Sequence, residues 1–287
     1  MRNPRVGFGD VLAQKMEQYG PLCVGIDPHP QLLQQWGLPA TADGVERFAR
    51  LVLEACAGKV AAVKPQVAFF ESYGSAGFLA LERCVQYAQS LGLLVISDAK
   101  RGDIGSTMSA YAHTWLDDSS PLASDALTLS PYLGFGSLAP ALELSEAQGR
   151  GVFVLALTSN PEGKSVQHRG GDCSVAAEVI RSAQERNARQ SWQRMGSCGL
   201  VVGATVADAL KLLSIDLSGF NGPILAPGYG AQGATAEQLY EVFSGCPSQV
   251  LVNSSRGVLS RGPSLEGLID AIESSQENLK NNLNDRI

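Results

Sequence analysis

A single (β/α)8 TIM barrel of the α/β class is the fold this sequence predicts, and three observations carry the prediction. Short apolar runs ending in polar or Gly/Pro residues recur eight times, at 22–27, 60–65, 93–98, 125–130, 152–158, 199–204, 223–227 and 249–254. Between them lie stretches with helical spacing, such as Val45-Phe48-Ala49-Val52-Leu53 and Phe78-Leu79-Leu81-Val85-Ala88, whose apolar residues share one face. The length of 287 residues suits one barrel, and nothing in the chain reads as a linker. Alternating strands and helices build a parallel sheet, and eight repeats close it. A doubly wound open sheet is the alternative, but the first run ends Gly25-Ile26-Asp27-Pro28 instead of in the Gly-x-Gly-x-x-Gly turn of that fold.

Taken in order, residues 8–19 read as a helix over the barrel bottom, so that about 1–20 form an N-terminal cover within a single domain spanning 1–287. The first strand ends at Asp27 and the second at Lys64-Pro65. The third, Leu93-Leu94-Val95-Ile96, reads as strand because Val95 and Ile96 are β-branched and a polar, Gly-containing loop follows. Its continuation is Asp98-Ala99-Lys100-Arg101-Gly102-Asp103, and a period of two puts Asp98 and Lys100 on one side, with Asp103 just past the strand end. Two carboxylates bracketing an ammonium favour its charged form, so Lys100 is expected to stay protonated; an ion-pair ring closing the barrel end is the alternative. After the fifth strand, loop 159–173 is longer than ordinary βα connections, which suits either a lid or a surface excursion. The last helical segment starts near 264 and is expected to end in a polar, fraying tail over about 278–287.

The strand C-termini of such a barrel form the reactive face, and here three neighbouring strands end in alternating charge at Asp27, Lys64, Asp98 and Lys100. The seventh strand runs into Pro227-Gly228-Tyr229-Gly230-Ala231-Gln232-Gly233 and the eighth into Asn253-Ser254-Ser255-Arg256-Gly257. Glycines after these two strands let backbone N–H groups approach a phosphate, and Arg256 adds a planar fork for it. No nucleophilic Ser or Cys sits in an activating motif. A small phosphorylated substrate that becomes anionic at carbon is the reading these residues favour.

Bulk properties narrow the partners. A net charge of −6 and no basic stripe argue against nucleic acid, and no apolar run reaches the roughly 18 residues needed to span a membrane. The basic start Met1-Arg2-Asn3-Pro4-Arg5 leads into no apolar segment, so a secretory signal is not expected and a cytoplasmic location is. Cys23, Cys56, Cys84, Cys173, Cys198 and Cys246 lack Cys-x-x-Cys spacing and read as reduced core thiols; His29, His113 and His168 lack metal-ligand spacing. No metal and no cofactor are expected.

With these residues assembled, the chain resembles the orotidine 5′-phosphate decarboxylases, in particular their longer bacterial branch, over roughly residues 20–260. The elements that carry the resemblance are Gly25-Ile26-Asp27, Lys64-Pro65, Asp98-Ala99-Lys100-Arg101-Gly102-Asp103-Ile104, Pro227 to Gly233, and Arg256. It implies that Lys100 faces the reacting carbon and protonates a vinyl carbanion at C6, with Asp98, Lys64 and Asp103 completing the charged array. Asp27 and Lys64 would hold ribose hydroxyls, Ser159 would read the pyrimidine ring, and Gln232 and Arg256 would contact phosphate. Asp103, Ile104 and Thr107 match positions that the family supplies from the other subunit, implying a homodimer with shared active sites. Loop 160–173 departs from the shorter branch in length. Sugar-phosphate decarboxylases and hexulose-phosphate synthases on the same fold share Asp-x-Lys-x-x-Asp but work through Mg²⁺ with Glu at the end of strand 2; here that position is Lys64, which would repel the cation. A catalytically silent nucleotide-binding barrel is the remaining alternative, and turnover would exclude it.

Overall fold

The computed structural model describes residues 6–230 and 234–283. Eight parallel strands, β1 (Leu22–Ile26), β2 (Ala62–Pro65), β3 (Leu94–Arg101), β4 (Ala126–Leu129), β5 (Gly151–Leu157), β6 (Cys198–Val202), β7 (Ile224–Pro227) and β8 (Val250–Ser254), close in sequence order, with β8 pairing β1. Helices lie between them, and the helix Ala42–Cys56 shows why the sequence folds this way. The Thr41 hydroxyl caps it by accepting from the Gly44 N–H at 3.3 Å, and Val45, Phe48, Ala49, Val52 and Leu53 are all buried against the sheet.

Strand periodicity divides the core in two. Residues such as Val24, Val63, Val95 and Val252 pack outward under the helices, whereas Cys23, Ala62, Leu94, Ile96, Phe153, Val201, Leu225 and Leu251 fill the barrel interior. The helix Phe8–Tyr19 closes the bottom as expected: Phe8 and Leu12 join the interior cluster, and the Phe8 ring meets Phe153 edge-on at 5.9 Å.

Three expectations need correction. Phe78 and Leu79 are exposed while Leu81, Val85 and Ala88 are buried, because Leu79, two positions from Leu81, points to the opposite side of the helix Gly74–Ser90. The polar stretch from Asn278 is not a loose tail as far as Leu283; it continues the helix Leu265–Leu283, anchored by the buried Leu279. Of the six thiols, five are buried and Cys173 is exposed, since it lies in the long loop after β5. That loop carries three short helical turns, at 161–163, 164–167 and 171–173.

Candidate active site

The inward-facing positions continue upward from the apolar interior into polar ones. Leu94 and Ile96 are followed by Asp98 and Lys100, Ala62 by Lys64 and Gln66, Ala126 by Thr128, and Leu251 by Asn253 and Ser255. Together with Asp27, Thr158, Tyr229 and Arg256 they line a cavity of about 260 Å³ at the strand C-termini, of a size to take a small molecule. Leu155, Val201 and Leu225 give it an apolar wall.

Asp98 is the hub. Its Oδ2 accepts from Lys64 Nζ at 2.7 Å and Gln66 Nε2 at 3.0 Å, and its Oδ1 from Lys100 Nζ at 2.5 Å and Thr128 Oγ1 at 2.9 Å. Burial alone would raise the Asp98 pKa, but the charges and hydrogen bonds of Lys64 and Lys100 outweigh it and hold the carboxyl well below the usual range. Burial would likewise discharge Lys64, and the charges of Asp98 and Asp27 outweigh it, keeping the ammonium above its ordinary pKa. Beneath them Cys23 is pushed up to about 12 by burial, so it supplies no thiolate at neutral pH. Asp27 Oδ1 and Asn253 Oδ1 are buried without a hydrogen-bond partner. Both residues line the cavity, and a buried acceptor without a donor is uncommon in a folded protein.

Backbone geometry sets this array. Ser97 pairs with Leu127 and Arg101 with Leu129, so β3 carries two more residues than β4 over this stretch and bulges. Within the bulge Lys100 has φ +47°, a left-handed conformation that costs a non-glycine residue about 1–3 kcal/mol. The strand end is pinned by Arg101, which pairs with Glu71 and lies over the rings of Tyr111 and Trp115. Gly102 then passes so close to the Ser130 carbonyl that a Cβ would come within 2.3 Å, and Gly25 leaves room for Ser255, whose Oγ would lie 1.9 Å from a Cβ there.

Of the residues singled out from sequence, the structure gathers Asp27, Lys64, Asp98, Lys100 and Arg256 around one cavity. It does not bring in Asp103, Ile104, Thr107 or Ser159. Asp103 accepts from the Ile104 N–H at 2.7 Å and makes no ion pair with Lys100 in its own chain, so the expected two-carboxylate bracket reduces to Asp98 alone. The turn at Gly102 leads the chain outward, which leaves Ile104 62% exposed and Thr107 exposed. Ser159 is exposed one residue beyond Thr158, which lines the cavity and is bracketed by Gln167 through bonds of 2.9 and 2.8 Å. Gln232 lies outside the described residues. Sequence reading missed Gln66, Thr128 and Thr158; Gln66 continues the period-two pattern of β2, whereas the Thr128 hydroxyl gains its role only from the β3 bulge opposite it.

With this geometry in hand, similarity to known proteins is informative. The sequence model of the "Orotidine 5′-phosphate decarboxylase / HUMPS family" matches residues 20–266. Orotidine 5′-phosphate decarboxylase of Streptomyces coelicolor is 54% identical over 268 residues, covering 93% of this chain and 94% of that protein, and the enzyme of the same name from Corynebacterium efficiens is 49% identical over 268 residues, covering 92% and 94%. Among solved structures, one from Streptomyces avermitilis, provisionally assigned the same enzyme name, superposes with a TM-score of 0.92 at 50% identity over 98% of this chain and 97% of its own. Leishmania donovani OMP decarboxylase gives a TM-score of 0.77 at 30% identity over 97% and 99%.

Proposed function

Because the chain belongs to the orotidine 5′-phosphate decarboxylase / HUMPS family, we propose that it is a carboxy-lyase that converts orotidine 5′-phosphate to UMP and CO₂, the last step of de novo UMP formation. The observation that carries the reading is Asp98 holding two ammonium groups in the wall of a cavity whose β7 and β8 side presents Tyr229 and Arg256. The reaction breaks the C6–carboxylate bond and leaves an electron pair on C6. Lys100 supplies the proton that fills it, and its half-exposed amine regains one from solvent. Arg256 and the Gly228-Tyr229 turn grip the phosphate, and Asp27 and Lys64 take ribose hydroxyls.

A unit charge about 4 Å from the developing carbanion is worth ~4 kcal/mol at an effective dielectric near 20. Large accelerations need about 8–23 kcal/mol. The balance therefore falls to the fixed array around Asp98 and to phosphate binding energy used in closing the site.

The donor set favours this metal-free reaction over the Mg²⁺-dependent chemistry of related sugar-phosphate enzymes. Both Asp98 oxygens are occupied by four donors, two of them cationic, and a divalent ion would have to displace them. The exposed run Asp103, Ile104 and Thr107 reads as the part of the site lent to a second copy of the chain in a homodimer, with Asp103 completing the partner's charged array. Ser159 reads the pyrimidine ring once substrate is bound. We expect no nucleic-acid or membrane partner and a cytoplasmic location; no helix among the described residues is long and apolar enough to cross a membrane.

The test is an absorbance assay for consumption of orotidine 5′-phosphate by protein dialysed against EDTA. An undiminished rate is expected. A rate that vanishes with chelator and returns with Mg²⁺ would move the assignment to the enediolate chemistry, and no turnover in either condition would leave a nucleotide-binding barrel.

A further inference from the structure

Thr128 lines the cavity, and its side chain also makes two bonds that strand pairing does not require of it. It is 1% exposed, lies on β4 between Leu127 and Leu129, and faces the β3 bulge. Across that bulge the regular ladder is interrupted, so the N–H groups of the extra residues need other acceptors. The Thr128 hydroxyl provides one: it accepts from the Lys100 backbone N–H at 2.9 Å and donates to Asp98 Oδ1, also at 2.9 Å. A single buried oxygen thus ties together the backbone of the residue held at φ +47° and the carboxylate that its ammonium touches.

We infer that Thr128 is a positioning residue for decarboxylation, its hydroxyl fixing the left-handed turn at Lys100 and thereby the aim of the Lys100 ammonium. The inference rests on the decarboxylase reading above and adds to it. Valine matches threonine in shape and strand preference but can neither accept from Lys100 nor donate to Asp98, whereas serine keeps both bonds. Without the hydroxyl, the Lys100 N–H has no acceptor, and the turn can relax toward ordinary strand geometry, swinging the ammonium away from C6.

The experiment compares wild type, Thr128→Val and Thr128→Ser by steady-state kinetics with orotidine 5′-phosphate, by thermal unfolding, and by crystal structures of the two variants with UMP. For Thr128→Val, kcat is expected to fall by about a hundredfold with KM little changed, the scale of a 1 Å misplacement of a catalytic group, and its structure should show Lys100 outside the left-handed region or its Nζ away from Asp98. Thr128→Ser should restore kcat to near wild type. Unchanged kcat in Thr128→Val, or a serine variant as slow as the valine one, would overturn the inference. So would a valine structure with Lys100 unmoved, a readout that decides the matter even if the wild type proved not to turn over orotidine 5′-phosphate, in which case it is the decarboxylase reading that falls; if Thr128→Val does not fold, Thr128→Ala, which also lacks the hydroxyl, is held to the same outcomes.

Discussion

Lys64 and Lys100 share one counter-ion: their ammonium groups stand on opposite oxygens of Asp98, at 2.7 and 2.5 Å. Lys64 is 5% exposed and locked in place, while Lys100 reaches the open part of the cavity. In the proposed reaction the pair divides the work, with Lys64 fixing the carboxylate beside the ribose and Lys100 directed at the reacting carbon.

Stability should register this sharing. The folded-state pKa of Asp98 lies below its unfolded value of about 3.9, so its contribution is complete above that pH and fades as pH falls. Lys64 is raised, so its contribution is complete below about pH 10 and fades only at higher pH. Asp98→Asn is expected to destabilise the protein by about 3–5 kcal/mol, because it strands a buried ammonium. Urea unfolding at a series of pH values should show that gap steady from about pH 5 to 9 and narrowing below about pH 4. A gap independent of pH down to acid conditions would mean that Asp98 is not ionised in the fold.

The proposed role of Arg256 is to bind phosphate and not to act on the reacting carbon. Arg256→Ala should weaken UMP binding by about 1.5–3 kcal/mol for each hydrogen bond lost to the phosphate, roughly tenfold to a hundredfold, while uridine binding changes little. Titration calorimetry with the two ligands checks this; equal losses for both would place Arg256 away from the phosphate.

The outward course of Asp103 predicts complementation between chains. Lys100→Ala and Asp103→Asn proteins, each inactive, are mixed in equal amounts and allowed to exchange subunits. If Asp103 works in the partner's site, half the dimers are mixed and each holds one intact site, giving about a quarter of wild-type activity per site. No recovery, with exchange verified by a mass label, would return Asp103 to its own chain's site.

Much of this was legible in the sequence. The eight strands announced themselves because each apolar run ends in polar, Gly or Pro residues, and the charged ends of β1, β2 and β3 do meet in one cavity. Gln66 was within reach of the same logic, being the next inward position after Lys64. Thr128 was not, since one hydroxyl inside Ala126-Leu127-Thr128-Leu129 reads as strand filler until the bulge opposite it is seen. The left-handed turn at Lys100 belongs to the same class: it arises from mismatched strand lengths, which no local pattern in Asp98-Ala99-Lys100 encodes. Asp103 failed to bracket Lys100 because its direction after Gly102 depends on packing against Ser130.

The central claim is that Lys100 acts on charge that develops only during reaction. The most direct measurement is the kinetics of Lys100→Ala with orotidine 5′-phosphate alongside its affinity for UMP. The account predicts kcat reduced by about a thousandfold or more, as for loss of a positioned general acid, with UMP still bound. A variant that turned over at the wild-type kcat and merely showed a higher KM would contradict it.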